Sequence, residues 1–252
     1  MTNENKKLEI YKVIDKNEKH YTEKSPLSSL PAKIIIVGKS QMSGKSSVLI
    51  NLFFRKEKEF YGSDFDGKNI FVISRTAHQD YKMRTFITQK EIPETNVFTE
   101  FDEELIEGIY ELIEQEYMSK IEEGKCPHNF LWLFDDMSSS NIFKHHQNDG
   151  IINKIFSQGR HTMQSCCLTS QKYSSIGNLQ RENITMGIFF ACSEKQLDLI
   201  TEDINMLTDK ATFKRKFREA TENPHSFFVV NFTAKDKRYR YMDSNFEPID
   251  FK

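Results

Sequence analysis

The sequence predicts an α/β fold, a mainly parallel sheet with helices on both faces, completed by a C-terminal β-hairpin. Three observations carry this expectation. Short continuous apolar runs such as KIIIV (33–37) and FLWLF (130–134) lack the alternation of half-exposed strands, so they read as strands buried on both faces. Amphipathic stretches of helical length separate them, which gives the β-α-β-α order of a parallel sheet with crossover helices. The last two apolar runs, 226–232 and 238–242, are joined instead by a turn containing Lys and Asp, as in a hairpin.

Taken in order, KIIIV (33–37) opens the core and precedes a helix from Gly44 to Lys56. NIFVIS (69–74) is the second strand, and a long amphipathic helix covers Asp102 to Glu122. FLWLF (130–134) is followed by a helix from Asp149 to Ser157, the strand MQSCCLTS (163–170) and a short helix near Leu179. GIFFACS (187–193) is a further strand, and helices fill 194–221 before the hairpin SFFVVNF (226–232) and RYRYM (238–242). The chain of 252 residues, 38% hydrophobic and with 21 Phe, is long enough for one large core, so residues 32–252 are expected to form a single domain. Residues 1–31, rich in Lys, Glu, Asn and Ser, are expected to be a polar arm, with Leu8–Ile14 as its one strand-like stretch.

Lys+Arg 35 against Asp+Glu 37 leaves a formal charge of −2, so no global basic field advertises a polyanion and any such contact must come from a local patch. Cys126, Cys166, Cys167 and Cys192 form no CxxC pair and read as reduced thiols. His145, His146 and His161 with Cys126 and His128 have no spacing that fits a tetrahedral zinc site. No apolar run reaches signal-peptide or membrane-span length, so a cytosolic compartment and no membrane span are expected.

The first strand runs into GKSQMSGKSS (38–47) and then a helix, the context that makes a glycine-lysine string a phosphate-binding P-loop. Its backbone N–H groups, over Lys39, Ser40, Gln41, Met42, Ser43, Gly44, Lys45, Ser46 and Ser47, would wrap the phosphates of a nucleotide. Lys45 would reach the β/γ oxygens, and Ser46 would ligate Mg²⁺. Gly38 lies one residue earlier than the G-x4-GK[ST] spacing requires, so either the loop carries an insertion or Lys39 begins it. FLWLFDDM ends in two carboxylates at the same sheet edge: Asp135 would hold Mg²⁺ through water, and Asp136 would orient and deprotonate the attacking water. Gln171, at the end of MQSCCLTS, has an amide able to donate to a γ-phosphate oxygen and accept from that water. The basic stretch from 210 to 240 holds Lys214, Arg215, Lys216 and Arg218, which either contact DNA phosphates or form a solvated face.

GKSQMSGKS, FDDM, QGRH (158–161), LTSQ (168–171) and RENI (181–184), in this order and spacing over residues 33–192, resemble the FtsK/HerA superfamily of DNA-pumping ATPases. Within it they resemble the poxvirus-type genome-packaging ATPase of large DNA viruses and their satellite viruses. Arg160 stands eleven residues before Gln171, and Asn183 falls where the FtsK-like pattern has an asparagine. The resemblance implies a RecA-like P-loop core that hydrolyses ATP with Mg²⁺ and translocates double-stranded DNA into preformed capsids as a hexameric homo-oligomeric ring. It further implies an arginine that enters the neighbouring subunit's site, Arg160 first and Arg181 second. Capsid or portal-vertex partners, and a location in the host-cytoplasm virus factory and the virion, follow from the same resemblance. The departures are the loop spacing and Asp136 where many relatives carry Glu. A GTPase is disfavoured because no N/T-K-x-D guanine-reading motif is present, and a small-molecule kinase because no arginine-rich lid is evident. The rival from another class is a nucleotide-regulated virion assembly protein without sustained DNA pumping.

Overall fold

A computed structural model describes residues 20–39, 43–136, 150–206 and 209–251. Leu8–Ile14, Ser40, Gln41, Met42, His145 and His146 lie outside the described residues. The chain builds one eight-stranded sheet in the order β3-β2-β4-β5-β1-β6-β7-β8. The strands are β1 (Lys33–Val37), β2 (Ile70–Ser74), β3 (Val97–Phe98), β4 (Phe130–Asp135), β5 (Gln164–Ser170), β6 (Met186–Phe190), β7 (Phe227–Asn231) and β8 (Tyr241–Met242). The first six run parallel, and β7 and β8 run antiparallel as the expected C-terminal hairpin.

Strand side chains alternate between two cores, as the period of two requires. Ile35 and Val37 face one with Trp132 and Phe134, whereas Ile34 and Ile36 face the other with Leu131 and Leu133. The first core is closed by α3 (Glu103–Glu122), α4 (Ile151–Gln158), α6 (Glu194–Ile204) and α7 (Lys210–Ala220), the second by α1 (Lys45–Phe54) and α2 (Tyr81–Gln89). The short α5 (Asn178–Glu182) lies between β5 and β6 in sequence.

Three features differ from the sequence expectation. Helix α2 and the two-residue β3 were not expected; α2 is started by Asp80, whose carboxylate accepts from Lys82 N and Met83 N. The helices expected over 194–221 are α6 and α7, with Asp209 capping the second through Ala211 N and Thr212 N. The expected strand 238–242 keeps only Tyr241–Met242, because Asp236 accepts from Arg238 N and winds Lys237–Arg240 into a 3-10 turn. Lastly, the packed core reaches upstream of Lys33. Leu27 and Leu30 are buried, and Lys24 pairs with Asp64 at 2.6 Å. Burying two such leucines contributes about 1.5–3 kcal/mol each. Among the described residues no helix is long and apolar enough to cross a membrane.

Candidate functional site

The phosphate loop leaves β1 at Val37, and Gly38 N donates to Ser170 O of β5 at 3.0 Å. Gly44, with φ 97°, ends the loop in the left-handed region, which a residue without Cβ adopts at low cost, and serves as the N-cap of α1. No side chain caps α1 and no acidic residue occupies its first turn, so the positive end of the helix is left for an anion. Lys45 lies over the loop, donating to Gly38 O and Lys39 O at 2.8 Å each. Ser43 Oγ also donates to Lys39 O at 2.8 Å, tying the two ends of the lengthened loop together. Ser46 and Ser47 are half-buried in the first turn of α1, and Ser47 Oγ accepts from Lys82 Nζ of α2 at 2.8 Å.

Strand β5 lies between β1 and β4. The carboxylates at the end of β4 are therefore two strand spacings, about 10 Å, from the loop at the end of β1. That gap suits a terminal phosphoryl group and an attacking water. Asp135 is buried, and its Oδ1 accepts from Thr169 Oγ1 at 2.6 Å. The same hydroxyl accepts from Asp136 N at 3.2 Å, so Thr169 holds both acidic residues. Asp136 itself is exposed and has φ 51°, a strained geometry for a residue with a Cβ that costs on the order of 1–3 kcal/mol. Its Oδ1 accepts from Gln171 Nε2 at 3.4 Å. Lys45, Asp135, Asp136 and Gln171 thus meet at one sheet edge, as their positions at strand ends predict. Thr169 was given no role from the sequence; its signal was its place in LTSQ, two residues before Gln171.

Burial, opposed by the Thr169 hydrogen bond and reinforced by the charges of Asp136 and Asp80, raises the Asp135 pKa above the ordinary carboxylate value. Burial likewise lowers the Lys45 pKa, and the Asp135 and Asp136 charges oppose it. A hydroxyl at the start of α1 and a buried carboxylate whose ionised form is penalised make a donor set that fits Mg²⁺. A raised carboxylate pKa means that the folded chain loses stability when Asp135 ionises and regains it as pH falls through the folded pKa. Asp135→Asn keeps the acceptor for Thr169 and removes the charge. It should raise the Tm of the nucleotide-free chain at neutral pH, by about 2–4 °C per kcal/mol of relief. Calorimetry at pH 7 checks this, and a lowered Tm would contradict it.

Arg160 sits in the 3-10 turn Gly159–Thr162 that leads into β5, at the end of the sheet opposite the phosphate loop. It is exposed, and among the described residues no carboxylate pairs with it. Arg181, on α5, is largely buried and already engaged: it bonds to Asp203 and Asn178 and lies 5.1 Å over the Tyr173 ring. Lys214, Arg215, Lys216 and Arg218 on α7 each pair with carboxylates. Lys214 bonds to Asp198 and Glu194, Arg218 reaches Glu194 at 2.8 Å, and Arg215 and Lys216 reach Glu219 at 2.8 and 3.3 Å. The four cations of that helix thus share three carboxylates, Glu194, Asp198 and Glu219. The cysteines are free thiols, and the described residues contain no group of three or more candidate metal ligands.

The fold is shared with solved structures at low sequence identity. The genome packaging NTPase B204 from Sulfolobus turreted icosahedral virus 2, in complex with AMPPCP, superposes with a TM-score of 0.57 at 14% identity, over 89% of this chain and 100% of that one. B204, the DNA-packaging ATPase from Sulfolobus turreted icosahedral virus, gives 0.55 at 15% identity over 88% and 99%. The pCW3 conjugation coupling protein TcpA, in its monomer form with ATPγS, gives 0.55 at 10% identity over 88% and 61%. No curated protein sequence matches the chain. The family model described as Poxvirus A32 protein matches residues 18–238, which takes in every strand but the last and the whole phosphate site, and the chain belongs to that family.

Proposed function

We propose that the chain binds and hydrolyses ATP, and that a hexameric ring of copies uses this hydrolysis to drive double-stranded viral DNA into preformed capsids. The observation that carries the reading is the meeting of the phosphate loop, Gln171 and the Asp135–Asp136 pair at the ends of the adjacent strands β1, β5 and β4. In this reading Lys45 leaves the carbonyls of Gly38 and Lys39 for the β/γ-phosphate oxygens. Asp136 takes a proton from the attacking water, whose oxygen bonds to the γ-phosphorus while the bond to the β–γ bridging oxygen breaks and its electron pair departs with ADP. Gln171, within reach of Asp136, orients the water and senses the γ-phosphate. Bound Mg²⁺, held by Ser46 and Asp135, supplies neutralisation of phosphate charge. Arg160, without a carboxylate partner among the described residues and at the opposite end of the strands, serves the neighbouring subunit's site, whereas the cis contacts of Arg181 favour a structural role. Capsid or portal-vertex proteins are the partners in this reading, and the virus factory and virion are its location.

Asp136→Asn should retain Mg·ATP binding while hydrolysis falls by a factor of about 10² or more, the usual contribution of a general base. Titration of a fluorescent ATP analogue alongside phosphate release checks both halves. A wild-type rate would remove Asp136 from the base role.

The lengthened phosphate loop, closed by Ser43 on Lys39 O, favours a second reading, a nucleotide-regulated virion assembly protein without sustained pumping. Steady-state ATP hydrolysis with and without linear duplex DNA separates the two. A motor turns over repeatedly and is stimulated by duplex of any sequence, with a stimulation that fades as salt rises. A single turnover per subunit, indifferent to DNA, would support the assembly protein.

A further inference from the structure

At the end of the sheet opposite the phosphate loop, the turn carrying Arg160 is braced from inside by groups that have no part in the nucleotide site. Lys33, the first residue of β1, is 3% exposed, and its Nζ donates to Ile155 O and to Gln164 O at 2.8 Å each. These two carbonyls stand on either side of the turn, one in the last turn of α4 and the other at the start of β5. A cation there also suits the negative end of the α4 dipole. Around it, Trp132 Nε1 donates to Gln164 Oε1 at 2.8 Å, Gln164 Nε2 donates to Thr162 Oγ1 at 2.9 Å, and Phe130 N donates to Met163 O at 3.0 Å. Gly159 packs so closely that a Cβ there would meet Lys33 Nζ at 2.9 Å and Gln164 O at 3.2 Å. Gly159 and Thr162 are buried, while Arg160 and His161 between them are exposed.

A buried lysine that among the described residues reaches backbone carbonyls and no carboxylate is a costly way to close a turn, since its charge is desolvated without an opposite charge beside it. A surface turn whose sole task was to join a helix to a strand would not require it. What the brace does accomplish is a fixed exit direction for the exposed Arg160, which no carboxylate among the described residues pairs with. We propose that Lys33 is the positioning residue for Arg160, holding the Gly159–Thr162 turn so that the guanidinium is aimed across the subunit boundary. This rests on the reading of Arg160 as the arginine that acts in the neighbour's site.

The test uses assembled rings of full-length chains. Lys33→Met should leave the KM for ATP unchanged and lower kcat by about 10²-fold, the scale of loss for a catalytic group displaced by roughly an ångström. Mixing then assigns the lesion. If Lys33 acts through Arg160, Lys33→Met subunits retain a working phosphate site and lack a working arginine. Activity should therefore return in rings mixed with Lys45→Ala and should not return in rings mixed with Arg160→Ala. Recovery with Arg160→Ala, or with neither partner while Lys45→Ala and Arg160→Ala complement each other, would place the damage in the subunit's own site and overturn the proposal. So would a wild-type kcat for Lys33→Met while Arg160→Ala is inactive. A wild-type rate for Arg160→Ala itself would instead reject the arginine reading on which the proposal stands. Should Lys33→Met not fold, Gly159→Ala, which crowds Lys33 Nζ from the opposite side, is expected to give the same mixing pattern, and the reverse pattern would overturn the proposal equally.

Discussion

Rings of Arg160→Ala subunits should bind ATP as the wild type does and hydrolyse it about 10³-fold more slowly or worse, the scale of loss when a trans arginine is removed. The physical reason is the separation of the two ends of the sheet. Arg160 precedes β5 whereas Lys45 follows β1, and β1 and β5 run parallel, so the guanidinium and the phosphate loop of one chain lie at opposite strand ends. In the proposed ring, the charge it contributes therefore reaches the γ-phosphate of another copy. In rings mixed from Arg160→Ala and Lys45→Ala subunits, some boundaries join an intact loop to an intact arginine. Part of the activity should reappear although each variant alone is inactive, and it should vanish at concentrations where ultracentrifugation finds only monomers. A mixture that stays inactive while mixed rings form would show that Arg160 serves its own subunit or that hydrolysis needs an unbroken ring. Repeating the mix with Arg181→Ala would decide between these.

Lys45→Ala should have the largest effect, abolishing hydrolysis and weakening ATP binding at once. Losing a charge-assisted contact of about 1.5–3 kcal/mol corresponds to roughly 10- to 10²-fold in affinity. The loss falls on the ground state as well as the transition state, because the same cation neutralises phosphate oxygens in both. The half-buried ammonium now donates to two loop carbonyls, so the substitution also leaves Gly38 O and Lys39 O without that donor. A modest fall in the Tm of the nucleotide-free chain is expected alongside the functional loss. Equilibrium binding of a non-hydrolysable analogue and phosphate release check the two effects separately. Unchanged affinity would remove Lys45 from the phosphate contacts.

The parallel core was legible because fully buried strands carry an unbroken apolar signature, and because the phosphate loop and the DD pair sit at strand ends, where sequence position alone fixes the sheet edge. Helix α2 was not legible: nine residues with β-branched Thr85, Ile87 and Thr88 among them give a weak helical pattern, and the capping Asp80 was its one clear marker. The roles of Thr169 and Lys33 depend on what β4 and α4 bring against β5, which no local pattern encodes. Part of the pairing of Lys214 to Arg218 is hidden for the same reason. Glu194 and Asp198, whose carboxylates meet Lys214 and Arg218, are on α6, some twenty residues away in the chain. Exposed pairs of that kind add little stability. Arg181 ranked second to Arg160 in sequence, and the packing of α5 against Tyr173 and Asp203 adds a reason that no local pattern carries.

Movement of the proposed ring along duplex DNA, driven by hydrolysis at this site, is read out by displacement of a third strand from a short triplex at the end of a linear duplex. Wild-type rings with Mg·ATP should release the third strand at a rate that rises with ATP concentration and saturates. Lys45→Ala rings and wild-type rings given a non-hydrolysable analogue should release none. Steady ATP hydrolysis on the same DNA without strand release would contradict hydrolysis-driven movement.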